Sequence, residues 1–149
     1  MKSLFETATL AEVIERVQKV SPSSQRQWGK MNVSQMLAHA CSVLEMAMGI
    51  VYPKRIFIGR IIGPIFRKKY SNDTPLDQSS PTSEEFKVTE HKDFEIEKRR
   101  LLDLLKRFSE GGEASVTRHP HPFFGPLTPR EWGIGMYKHI DHHLRQFSN

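Results

Sequence analysis

Apolar positions recur at helical spacing in five stretches of the chain, separated by polar or Gly/Pro-rich segments. The first stretch runs from about Leu10 to Val20, with Leu10, Val13, Ile14 and Val17 on one stripe. Thr9 is its expected N-cap and the turn cluster "SPSS" its stop. The second opens at "NVSQ", where Asn32 and Gln35 match a capping box, and continues to Gly49. Its apolar residues, Val33, Met36, Leu37, Ala40, Cys41 and Leu44 among them, cover more than half the circumference. Ser34, Gln35, Ser42 and Glu45 are left as a solvent strip.

The third stretch, about Lys54 to Lys69, contains Gly59, Gly63 and Pro64, which predicts a broken or kinked helix. A polar connector, "SNDTPLDQSSPTS", follows it. The fourth starts near Glu84 or Asp93; Phe94, Leu101, Leu104, Leu105 and Phe108 form its stripe and "EGG" ends it. The rigid-looking "EASVTRHPHPFFGPLTP" leads to the fifth, which begins at "TPRE" and runs to about Gln146. There Thr128 is the N-cap, Pro129 suits the first helical position and Glu131 completes a capping box. No strand pattern or repeat is visible. The expectation is a single all-α domain over residues 1–149, of bundle type, with a long crossover carrying the third helix.

Composition changes this picture little. Hydrophobic residues at 38% and charged residues at 26% describe an ordinary globular chain. No apolar run is long enough to span a membrane. One cysteine, Cys41, excludes an internal disulfide; with acids among the N-terminal apolar residues in place of a signal sequence, it points to the cytoplasm. Cys41 itself, on the apolar arc, reads as an inert core thiol, and Trp28 and Trp132 read as core residues.

The net charge of +5 is concentrated in Tyr52 to Tyr70, "YPKRIFIGRIIGPIFRKKY", so no specific nucleic-acid partner is expected. Within that segment Ile56, Phe57, Ile61, Ile62, Ile65 and Phe66 alternate with Lys54, Arg55, Arg60, Arg67, Lys68 and Lys69. The favoured reading is a bundle helix with a charged outer face. The alternative is a non-catalytic binding module whose basic third helix contacts an anionic surface.

Candidate chemistry lies in "MYKHIDHHLRQF", Met136 to Phe147. At about 100° per residue, Trp132, Met136, Ile140, Leu144 and Phe147 form the inward stripe, and His139 and His143 sit on its edge. His142 falls off the stripe, as a solvated residue or one at a pocket rim, and Asp141 points outward. Two imidazoles four residues apart have Cβ atoms roughly 6 Å from each other, close enough to converge on one ion. A catalytic zinc-type site takes three protein ligands. His39, on the flank of the second helix's apolar arc, needs a partner if buried. That partner is either a carbonyl or carboxylate, or an ion shared with His139 and His143. Glu45 and His142 are weak candidates for general acid or base. His119 and His121 read as turn packing or as a lid.

The stretches "HPFFGPLTPREWGIGMYKHIDHHLRQF" and "WGKMNVSQMLAHA" resemble the signatures of the DinB-like (DinB/YfiT) superfamily, and more narrowly a domain-of-unknown-function branch of it. The similarity extends loosely over nearly the whole chain. The resemblance implies a four-helix bundle with an up-down-down-up course and one long crossover. It also implies a divalent metal held by His39, His139 and His143 with an open position for water. Zinc or nickel suits this ligand set best, and iron, manganese or copper can also be held. Characterised relatives imply a small-molecule substrate and either thiol transfer, using a low-molecular-weight thiol, or hydrolysis. The resemblance is also compatible with a homodimer.

Overall fold

The structure is a computed structural model and describes residues 1–72, 74–78 and 84–148. Among them are five α-helices: α1 (Thr7–Lys19), α2 (Val33–Ala47), α3 (Phe57–Tyr70), α4 (Phe94–Gly111) and α5 (Pro129–Gln146). Single 3-10 turns lie at Glu84–Phe86 and Gly112–Ser115. Of the polar connector, residues 73 and 79–83 lie outside the described residues.

Local chemistry sets the helix starts. Asn32 and Gln35 form the capping box of α2, and Thr128 and Glu131 that of α5, each satisfying N–H groups that the first turn cannot. Asp93 caps α4 through the N–H of Ile96 at 2.9 Å, so Glu84 belongs to a separate turn. Helix α1 begins earlier than its stripe suggests. Glu6 holds the N-cap position, and Thr9 lies within the first turn, its hydroxyl donating to the Glu6 carboxylate at 2.8 Å.

Helices α1 and α2 each pack against both α4 and α5, and α3 packs against α5. The shared core contains Val13 and Val17 of α1, Leu37 and Leu44 of α2, Leu101, Leu105 and Phe108 of α4, and Trp132, Met136, Ile140 and Leu144 of α5. The apolar stripes of the four helices are thus buried against one another, the dominant favourable contribution to folding.

Helix α3 departs from its expected form. It runs as one helix through Pro64 and begins at Phe57. Lys54 to Ile56 stay extended because the Ile56 N–H bonds the Pro122 carbonyl at 3.0 Å. Pro64 faces outward, where water can serve the carbonyl its missing N–H leaves free. The inward side is made by Gly59 and Gly63, which rest on the backbone of Phe123. A Cβ at Gly59 would lie 2.7 Å from the Phe123 carbonyl oxygen, and one at Gly63 would overlap that same atom.

Gly63→Ala therefore sets two effects against each other. Alanine adds about 1 kcal/mol of helix propensity, whereas overpacking against a fixed backbone costs about 1–3 kcal/mol. Because the neighbour is main chain, overpacking wins. Urea denaturation should show the variant less stable than wild type; an unchanged or higher midpoint would disprove this seating of α3.

Candidate metal centre

His39 is carried into the interior by α2, whose register is set by the Asn32 cap and whose Leu37, Ala40, Cys41 and Leu44 are buried on all sides. Its ring is 2% exposed. Nδ1 lies 2.8 Å from the carbonyl oxygen of Phe86, in the 3-10 turn Glu84–Phe86. A carbonyl only accepts, so Nδ1 carries the proton and Nε2 presents its lone pair inward.

His143 reaches the same tautomer by a side-chain route. Its Nδ1 is 2.8 Å from Oε1 of Gln146, one turn along α5. The Gln146 amide Nε2 donates to the Trp28 carbonyl at 2.8 Å, which sets the amide so that its oxygen faces the imidazole. The Gln27 N–H adds a bond to the Gln146 carbonyl at 2.7 Å. Gly29 makes the approach feasible: it has φ +81°, and a Cβ there would lie 2.5 Å from Gln146 Nε2.

His139 completes the group. Its Nε2 is 3.0 Å from Nε2 of His39. Its Nδ1 is buried with no hydrogen-bond partner among the described residues, although the residue as a whole is only half-buried. One ligand-capable nitrogen from each of the three histidines lies within 4.8 Å of the others, close enough to hold a metal ion. A tetrahedral ion with nitrogens at about 2.0–2.1 Å sets them roughly 3.3 Å apart, so the rings would have to draw together for all three to bind one ion.

Electrostatics keeps the rings in ligand form. Burial pushes all three below the ordinary imidazole range; His143 falls to about 3, with His39 adding to the effect. His139 is lowered by burial first and then by the neighbouring His143 and His39. Neutral imidazole is the state that binds metal, so no proton has to be displaced at neutral pH.

The remaining candidates fall elsewhere. Glu45 is held by Arg100 at 2.6 Å, and Arg100 also reaches Glu97 at 3.1 Å, on the α2–α4 side. Cys41 is buried, donates weakly to the Glu97 carbonyl at 3.7 Å and has its thiol pushed up to about 12. That excludes a reactive thiolate. A polar cleft of about 300 Å³ on this side is lined by Ala38, Ser42, Thr89 and Arg100, and the histidines take no part in it.

His142 corrects the reading of a solvated residue. It is buried, edge-on to Trp28 with ring centroids 5.5 Å apart and to His143 at 5.1 Å, with the backbone of Leu76 nearby, and its Nδ1 has no hydrogen-bond partner among the described residues. The connector and the Trp28 loop cover a face that a lone helical wheel leaves open. Trp28, in turn, is half-buried beside the site rather than in the core. Asp141 lies away from the cluster, pairing with Arg16 and Arg145, each at 2.8 Å.

Phe86, Trp28 and Gln146 support the site without having been expected there: Trp28 reads from sequence as a core residue and Gln146 only as the end of the fifth helix. Gln146 had a legible signal, three residues beyond His143 on one helical face. The other two act through main-chain carbonyls, which any residue supplies.

The molecule is thus an all-helical protein in which three histidines from two helices converge closely enough to hold a metal ion. It belongs to the family described as "Protein of unknown function (DUF1569)", whose sequence model matches residues 2–149. No curated protein and no solved structure matches the chain.

His121 is a separate, structural histidine. Its Nδ1 accepts the N–H groups of Phe123 and Phe124 at 3.1 and 3.2 Å, and burial lowers it from 6.5 to about 3. The unfolded chain therefore takes up a proton that the folded chain refuses. Stability is full above about pH 6.5 and falls by about 1.4 kcal/mol per pH unit below it for this group. Thermal melts should show a drop in Tm from about pH 7.5 to about pH 5 that is shallower in His121→Asn, whose side-chain oxygen still accepts both N–H groups. An equal drop in both proteins would count against this role.

Proposed function

We propose that this protein binds a divalent metal ion through His39, His139 and His143 and acts as a metal-dependent enzyme on a small-molecule substrate. One observation carries the reading: the outer nitrogens of His39 and His143 are each held by an acceptor, Phe86 O and Gln146 Oε1, at 2.8 Å. Such supports fix tautomer and orientation and are the usual companions of metal-ligating histidines. The resemblance to the DinB-like superfamily, with its up-down-down-up four-helix bundle, supports the same three ligands. Zinc or nickel is the ion we favour.

When bound, the ion supplies Lewis acidity and lowers the pKa of a protic ligand, the common requirement of thiol transfer to an electrophile and of hydrolysis. His39 and His143 act as the rigid ligands. His139, lacking a partner at Nδ1, is the ligand held least firmly. His142, next to His143, is better placed than the Arg100-bound Glu45 to exchange a proton there.

Elemental analysis of the purified, reconstituted protein should find about one equivalent of a transition metal. His139→Ala should lose it while keeping its far-UV circular dichroism, because the site sits on helices that fold without it. Less than about a tenth of an equivalent in the wild type would remove the foundation of the proposal.

The supporting shell can be tested separately. Gln146→Leu and Gly29→Ala should each weaken metal affinity, by about 10–100-fold for the loss of the Gln146 bond, as read by chelator competition. Wild-type affinity in Gln146→Leu would mean that the Gln146 bond does not orient His143.

A further inference from the structure

Helix α3 is amphipathic the wrong way round for a bundle helix. Its buried positions are Gly59, Gly63 and Tyr70, and its opposite side carries Phe57, Ile58, Ile61 and Ile65, spaced to form one continuous ridge. Phe57 is 76%, Ile61 63% and Ile65 73% exposed. Exposed Ile50, Val51 and Tyr52 extend the apolar surface before the helix. This arrangement replaces the charged outer face expected from sequence. The glycines explain it: contact with the Phe123 backbone requires the side lacking Cβ atoms, which sends the branched and aromatic side chains to solvent.

The segment that carries the ridge has charges of one sign. No Asp or Glu occurs from Met46 to Asn72. Arg67 is engaged by Glu131 at 2.6 Å and Lys69 by Asp77 at 2.6 Å. Lys54, Arg60 and Lys68 are exposed and form no ion pair with the described residues. Isolated exposed apolar residues need no explanation, but a contiguous ridge rimmed by bases does.

We propose that α3 is an interfacial helix that docks this protein on an anionic lipid bilayer. The ridge enters the headgroup boundary, Tyr52 sits at the interface, and Lys54, Arg60 and Lys68 meet lipid phosphates and carboxylates. Charge complementarity selects this occupant over a second copy of the chain: a two-fold pairing of ridges would bring two acid-free, basic segments together. Among the described residues no helix is long and apolar enough to cross a membrane, so contact is confined to the surface. The docking surface does not depend on the metal site.

Co-sedimentation with phosphatidylcholine vesicles, with and without phosphatidylserine, tests the proposal. The full chain should bind the phosphatidylserine vesicles and stay bound at about 150 mM salt, where attraction by charge alone is largely screened. Phe57→Ser/Ile61→Ser/Ile65→Ser should abolish the salt-resistant binding while keeping its helical circular dichroism, since these side chains are exposed in the folded protein. Arg60→Gln and Lys68→Gln should each weaken binding about fivefold. Absence of binding, equal binding to neutral vesicles, or a concentration-dependent dimer broken by the triple substitution in a protein that ignores vesicles would each overturn it.

Discussion

A buried imidazole costs least when it stays neutral and each of its nitrogens has a partner. That requirement organises the centre of this molecule. His39 meets it by drawing the 3-10 turn Glu84–Phe86 onto α2, and His143 by using Gln146 to reach the Trp28 carbonyl. Each bond occupies the outer nitrogen and turns the inner lone pair toward the same point. Segments far apart in the chain are thereby joined by the needs of two rings. His139 departs from it, with one nitrogen against His39 and the other without a partner, as does the buried Nδ1 of His142. Because His39 carries its proton on Nδ1, the 3.0 Å contact is met by His139 Nε2–H donating to His39 Nε2, and an ion shared by the inner nitrogens would take the place of that proton.

The helices and their caps were largely legible because they depend on short-range chemistry. Asn32–Gln35 and Thr128–Glu131 close their boxes within four residues. The inward stripe of α5 likewise follows from one helix's periodicity, which is why His139 and His143 could be paired in advance. His142 shows where such reasoning stops. The Trp28 ring that packs edge-on against it comes from a separate segment. Phe86 and Trp28 act on the site through their carbonyls and so leave no mark in residue type. Thr9 illustrates a local failure: a good capping residue was displaced because Glu6 took the N-cap position.

Helix α3 was misread for a related reason. Periodicity reports that a helix has two faces but not which face meets the protein. In α1, α2, α4 and α5 the apolar face turns inward because helix packs against helix. In α3 the contact is with backbone, and only glycine permits that distance. Gly59 and Gly63, which in the sequence signal a broken helix, instead form its docking face.

The histidine cluster and the seat of α3 meet on α5. Glu131 holds Arg67, Lys138 caps the end of α3 through the carbonyls of Lys69 and Asn72, and the neighbouring His139 belongs to the histidine cluster. Gly135 lets the Tyr70 ring lie against the helix on this same side. One helix therefore carries, on adjacent faces, the seat of the exposed apolar ridge and two of the three histidines. A rigid α-helix transmits rotation along its length, so the register chosen by the α3 contacts also aims His139 and His143. The Thr128 cap sets where that register begins, and Gln146 secures it at the other end.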